Sequence, residues 1–238
     1  MLEDSEVERI LVVTAHPDDV DFGAAGTVAL WTDAGIAVSY CVCTDGQAGG
    51  FDPDIPREKM PTIRRQEQIE AAKAVGVTDV RFLGHHDGEL EPNRELVRDI
   101  VRVIRAVRPQ RVVLQNPERN WDRTGASHPD HLAAGEATMR AVYPAARNPF
   151  AFPELLADGL EEWVVPEIWV TATTNPSRFV DVTDQFDRKI EALMAHHSQH
   201  PDRERVPVFV REFMAKNAEK AGLAEGRLAE AFRVHETA

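Results

Sequence analysis

Four short apolar runs, Arg9–Ala15, Ala37–Thr44, Asp79–Leu83 and Arg111–Gln115, punctuate the first half of the chain and carry most of its β-branched stretches. Helical patterns over Phe22–Ala34, Thr62–Val75 and Arg94–Val107 separate them. Gly35 and Gly76 act as stops, and Thr62 is the expected N-cap. Strand and helix alternating at this spacing predict parallel βαβ units. The expected fold is therefore α/β: a Rossmann-like, mostly parallel sheet with helices on both faces. The 238 residues suit a single domain over 1–238 and are too few for two comfortable ones.

The last third reads as irregular or mixed. A loop runs to Ser127, a helix opens near Pro129, and the proline-containing segment Tyr143–Glu161 has no clear period. Strands are expected over Trp163–Thr173, interrupted by Pro166, and over Phe179–Val182. Helices are expected over Asp184–Ala195 and from Pro207 to about Val234. Within the latter, the alternating charges and alanines of Glu219–Arg233 read as a solvated helix or a contact in a homo-oligomer.

Net charge is −13, which argues against general affinity for nucleic acid or an anionic membrane, because both require basic surface. Cys41 and Cys43 sit two apart in a strand, where side chains share a face and a mutual disulfide is geometrically poor. They read as reduced core thiols, which suits a reducing compartment. The acidic N-terminus lacks the basic and apolar regions of a signal peptide, and no apolar stretch is long enough to span a bilayer. A cytoplasmic location is expected.

Chemistry-bearing residues concentrate in two places. His16-Pro17-Asp18-Asp19 follows the first strand, and ligand sites of open α/β sheets lie outside the carboxyl ends of strands. His128-Pro129-Asp130-His131 follows the loop after the fourth strand, with Pro129 suited to the first turn of a helix. Either motif alone reads equally well as a turn whose polar residues cap a helix. Together they bring imidazoles and carboxylates to one rim, supplying a His/Asp/His zinc set with further acid and base groups. A dinucleotide site is disfavoured, because the first strand-to-helix turn lacks Gly-x-Gly-x-x-Gly and only Gly23-Ala-Ala-Gly26 is present. No Gly-x-Ser-x-Gly elbow occurs either.

Ala15-His-Pro-Asp-Asp19 with His128-Pro-Asp-His131 resembles the LmbE-like, or PIG-L, N-acetylglucosaminyl deacetylase family. Thr44-Asp-Gly46, Arg64-x-x-Glu67 and Leu83-Gly-His-His-Asp87-Gly88 also fit, so the resemblance covers most of the chain. It implies a zinc-dependent hydrolase that removes an N-acetyl group from a small amino-sugar substrate, with another divalent ion such as Fe2+ as an alternative metal. It implies His16, Asp19 and His131 as metal ligands and Asp18 as general base. It further implies that a positively charged His128 stabilises or protonates the tetrahedral intermediate, that Asp130 orients an imidazole, and that Arg64 and Asp87 contact the sugar or its attached group. The chain departs from many relatives at Val20-Asp21, where Glu directly follows the two Asp, and at Ala126, where some place a tyrosine.

Other histidines read more plainly. His85 and His86 are loop residues near the same rim. His196, His197 and His200 suit a helix C-terminus, although His196-His-Ser-Gln199 matches a segment common in relatives. Trp121 is the tryptophan expected nearest a substrate, and the loops Asp45–Pro61 and Tyr143–Glu161 are expected to select the attached group. Two further readings remain: an amidase for a larger sugar-thiol conjugate, and a silent sugar-binding protein, for which an intact Asp18 has no use.

Overall fold

The computed structural model describes every residue except Arg123 and Ala238, and every side chain of those except that of Ala126. Its seven-stranded sheet has the order β3-β2-β1-β4-β5-β7-β6. Strands β1 (Arg9–Thr14), β2 (Ala37–Thr44), β3 (Asp79–His85), β4 (Arg111–Gln115) and β5 (Glu167–Thr171) run parallel. Strands β6 (Arg178–Asp181) and β7 (Ala229–Glu236) close the far edge, with β7 antiparallel to both of its neighbours.

Because successive strand residues face opposite sides, β1 divides its apolar residues between two layers. Leu11 and Val13 pack with α3 (Arg94–Val107) and α4 (Pro129–Arg140), while Ile10 and Val12 pack with α1 (Asp19–Asp33) and α2 (Met60–Ala74). Cys41 and Cys43 are free, buried and on the α3/α4 face, as their spacing predicts. Helix α6 (Phe186–Ala195) covers the α1/α2 side, and α7 (Arg205–Lys220) packs with it through Met214 and Val210. No helix among the described residues is long and apolar enough to cross a membrane.

Several elements differ from expectation. Helix α1 starts at Asp19, inside the first motif, and α2 starts at Met60, so Thr62 lies within the helix and Lys59 precedes it. Within 143–161 the chain forms a short helix, α5 (Pro153–Ala157). The largest correction concerns the C-terminal helix, which ends at Lys220. Gly222 and Gly226, both at positive φ, turn the chain back into β7. Of the Glu219–Arg233 stretch expected as a solvated helix or an oligomer contact, Ala229–Arg233 instead lie in this largely buried strand. Phe232 is fully buried against Trp169, and Glu230 reaches across to α1, where its carboxylate accepts the Gly26 and Thr27 N–H groups. Lys189 of α6 pairs with Glu230 at 2.8 Å and donates to the Asp21 and Phe22 carbonyls. Alanine and glutamate favour a helix, and the vacant ladder positions of β5 and β6 outweigh that preference.

Candidate active site

The chain leaves β1 toward β2 and β3, then returns across it to β4. The β1 and β4 ends therefore flank the topological switch point, where open α/β sheets bind ligands. His16 emerges from β1, and His128 and His131 from the loop and helix after β4. Two contacts lock these ends together. The Gln115 side chain at the end of β4 accepts the Ala15 N–H at 2.8 Å. Helix α4 lies hard against the same strand end through Gly135, where a Cβ would stand 2.3 Å from the Gln115 carbonyl oxygen.

Three donors converge in the resulting cleft. His16 Nδ1 lies 3.2 Å from His131 Nε2 and 3.3 Å from Asp19 Oδ2, and His131 Nε2 lies 3.0 Å from Asp19 Oδ1. On the opposite side of the His16 ring, Nε2 lies 3.0 Å from Asp87 Oδ1 and 3.1 Å from Asp130 Oδ2. An N–H must point at those two carboxylates, so neutral His16 carries its proton on Nε2 and presents a bare Nδ1 to the cleft. A lone pair, a second imidazole nitrogen and a carboxylate then face one another, an arrangement that a cation satisfies. Donors about 2.0–2.1 Å from a tetrahedral zinc are separated by about 3.3 Å, close to the spacing found here. Burial works against a charge on His16, yet its hydrogen bonds to Asp130, Asp19 and Asp87 push it up to about 12. Desolvation opposes the charge of Asp19 as well, but His131 and His16 hold its carboxyl well below the usual range. This donor set fits a divalent metal with an imidazole braced by carboxylates from behind.

Asp130 is fully buried and accepts the Gly88 and Leu90 N–H groups at 2.7 and 3.2 Å, which fixes it behind His16. Asp87 accepts the Ala48 N–H through its other oxygen. Asp18 adopts φ +96°, ψ −25°, a left-handed conformation uncommon outside glycine. Burial pushes its carboxyl up to about 6, against the pull of Arg64. Arg64 donates to the Pro17 and Gly46 carbonyls and to Asp18 Oδ2 at 3.3 Å. Its guanidinium lies under a glycine loop, where a Cβ on Gly49 would come within 2.3 Å of Nη1.

Arg64 and Asp87, the residues that the resemblance implies as sugar contacts, line the cleft beside Asp18 and His16. Both are buried, and Arg64 Nε has no hydrogen-bond partner among the described residues. His128 stands beside them in the same cleft, its ring 4.9 Å from that of His16. It is the N-cap of α4, and its Nδ1 accepts the Asp130 N–H at 3.2 Å. Burial and the neighbouring His16 hold it below the ordinary histidine value.

The remaining expectations sort simply. His85 pairs with Asp99, and His86 with Gln47, whose side-chain carbonyl accepts the Asp87 N–H. Trp121 is 79% exposed in the segment leading to the second motif. The side chain of Ala126 lies outside the described residues. Val20 is buried in the α1/α2 core, and Asp21 meets His196. Sequence reasoning passed over Gln68, Gln115 and Gln47. A buried glutamine has no motif, and the one available signal was the polar end of the β4 run.

With this geometry established, comparison with known proteins is direct. The family described as PIG-L, GlcNAc-PI de-N-acetylase, matches residues 11–142. Diacetylchitobiose deacetylase of Thermococcus kodakarensis is 33% identical over 83% of this chain and 72% of its own length. The 1D-myo-inositol 2-acetamido-2-deoxy-alpha-D-glucopyranoside deacetylase of Actinosynnema mirum is 33% identical over 80% of each chain. The structure of N,N'-diacetylchitobiose deacetylase from Pyrococcus horikoshii superposes with TM-score 0.89 at 30% identity, covering 97% of this chain and 85% of that one. The chain belongs to the PIG-L de-N-acetylase family and is an amide-cleaving hydrolase of that family.

Proposed function

We propose that this protein is a zinc-dependent deacetylase that hydrolyses the N-acetyl group of a small N-acetylglucosamine-type conjugate. The observation that carries this reading is the convergence of His16 Nδ1, His131 Nε2 and the Asp19 carboxylate beside Asp18. The relatives support the substrate class, since those named above act on 2-acetamido sugars bearing different partners.

His16, Asp19 and His131 would hold the ion. Zinc bound there acidifies water and polarises a carbonyl. Asp18 accepts the proton of the attacking water as general base. Its backbone is left-handed and its carboxylate is held by Arg64 at 3.3 Å. His128 donates its Nε2–H to the acetyl oxygen as that atom gains charge. With its Nδ1 engaged by the Asp130 N–H, His128 acts as a neutral donor, and Asp18 returns its proton to the departing nitrogen. The C–N bond breaks, giving acetate and a free amino sugar. In this proposal Arg64 and Asp87 brace Asp18 and His16, and contacts to the sugar fall to exposed groups around the mouth.

A panel of N-acetylated amino sugars incubated with zinc-loaded protein tests the reading through released primary amine. Turnover of at least one 2-acetamido glycoside is expected. Zinc-loaded protein that releases amine from none of them contradicts it.

A further inference from the structure

A buried hydrogen-bond relay runs away from the catalytic turn and involves residues outside the roles given above. The Asp18 N–H donates to Gln68 Oε1 at 2.8 Å, and Gln68 Nε2 donates to Asp21 Oδ2 at 2.9 Å. His196 Nε2 donates to the same Asp21 oxygen at 2.8 Å. Asp21, Gln68 and His196 are all completely buried. Glu67, adjacent to Gln68, accepts the Ser198 N–H and hydroxyl at 2.7 Å each, which seats the turn after His196 on α2.

We propose that Gln68 is a positioning residue for the base, with His196 and Asp21 fixing Gln68 in turn. The chemistry of a carboxamide suits this place. One end must accept from the backbone of Asp18 and the other must donate to a carboxylate, and glutamine offers both without a charge. Asp18 needs such a partner because φ +96° is unfavourable for a residue with a Cβ and persists only where the surroundings hold it. Arg64 grips the neighbouring Pro17 carbonyl and the Asp18 carboxylate, while Gln68 grips the Asp18 N–H. Residues 64 and 68 are one helical turn apart on α2, so a single face of that helix sets both ends of the base. The relay also gives Asp21 a role. The acid displaced by one position from that of many relatives meets an imidazole from the end of α6, and His196 follows as the histidine of the His-x-Ser-Gln segment.

The proposal rests on the deacetylase reading for its effect on rate, and on geometry alone for its effect on Asp18. Gln68→Met keeps length and volume but removes both hydrogen bonds. We expect kcat to fall about 10- to 100-fold with KM and bound metal little changed, because a small misplacement of a reacting group costs that much. In an Asp18→Ala background the same substitution should add no further loss, since Gln68 acts through Asp18. A crystal structure of Gln68→Met should show Asp18 out of the left-handed region. Retained kcat, or an equal loss with and without Asp18, overturns the proposal, as does an unmoved Asp18. Wild-type protein inactive on every amide would defeat the deacetylase reading, while the crystal structure would still judge the positioning. If Gln68→Met does not fold, His196→Ala and His196→Gln serve instead. Alanine should lower kcat about tenfold and glutamine, which can still donate to Asp21, should recover most of it. Equal activity in the two variants overturns the proposal.

Discussion

His16 Nδ1 and His131 Nε2 stand 3.2 Å apart although 115 residues separate them in the chain. The Nε2 proton of His16 is directed at Asp87 and Asp130. Two imidazole nitrogens held face to face, with the Asp19 carboxylate beside them, form a donor set that suits a cation.

Removal of that cation should be felt by the whole fold. A chelator is expected to abolish amide hydrolysis and lower Tm, and zinc should restore both. At free zinc about 100-fold above its Kd, binding to the native state alone contributes about 2.7 kcal/mol. Thermal scans with and without zinc check this, and superimposable scans would contradict it.

Asp87 and Asp130 should act through His16. Asp130→Asn leaves the backbone N–H contacts partly served but weakens the carboxylate behind the imidazole. Metal affinity is expected to fall about 10- to 100-fold, the usual loss for such a partner. Competition with a chromogenic chelator measures it, and Asp87→Asn should behave in the same direction.

The base should separate from the ligands. Asp18→Ala is expected to retain the metal and lower hydrolysis by about 10²-fold or more. His131→Ala should lose the metal itself. Metal analysis alongside turnover distinguishes the two, and unchanged turnover in Asp18→Ala removes Asp18 from the mechanism.

Burial opposes a charge on His196, but the Asp21 carboxylate raises its value above the ordinary 6.5. A raised folded-state value means that protonation favours the folded state. The stability this pair contributes is fully present below about 6.5 and is lost as pH rises through the folded-state value. The stability gap between wild type and His196→Asn, measured by urea unfolding across pH, should therefore shrink toward alkaline pH. A gap that grows with pH has the wrong sign.

Lys189 and Glu230 should matter more to folding than to chemistry. Lys189→Met leaves the Glu230 carboxylate buried without its cation and is expected to cost about 3–5 kcal/mol by urea unfolding. Trp121→Ala, at an exposed site, should cost within about 0.5 kcal/mol.

The alternation of apolar runs and helical patterns was enough to predict the parallel sheet, and the two His-Pro-Asp motifs lay at strand ends where the chemistry was expected. Strand order adds what periodicity cannot: that those two ends are neighbours at the switch point. Strand β7 escaped because Ala229-Glu-Ala-Phe-Arg favours a helix locally, and only its place between β5 and β6 makes it a strand. The start of α1 at Asp19 was hidden for a related reason, since a left-handed Asp18 held by Gln68 is set by a partner 50 residues away. Arg64 and Asp87 were recognisable as site residues from their motifs. Which way they face depends on the glycine loop at Gly46 and Gly49 and on the ring of His16, and these are tertiary facts.

The central claim is that one metal ion in this donor set makes the chain an amide hydrolase. Titration of metal-free protein with zinc, following amine release from an N-acetylglucosamine conjugate, tests it most directly. The account predicts activity that rises in proportion to zinc up to one equivalent per chain, and that His131→Ala shows no such rise. Amine release that is complete without metal, or a His131→Ala protein that titrates like the wild type, would contradict it.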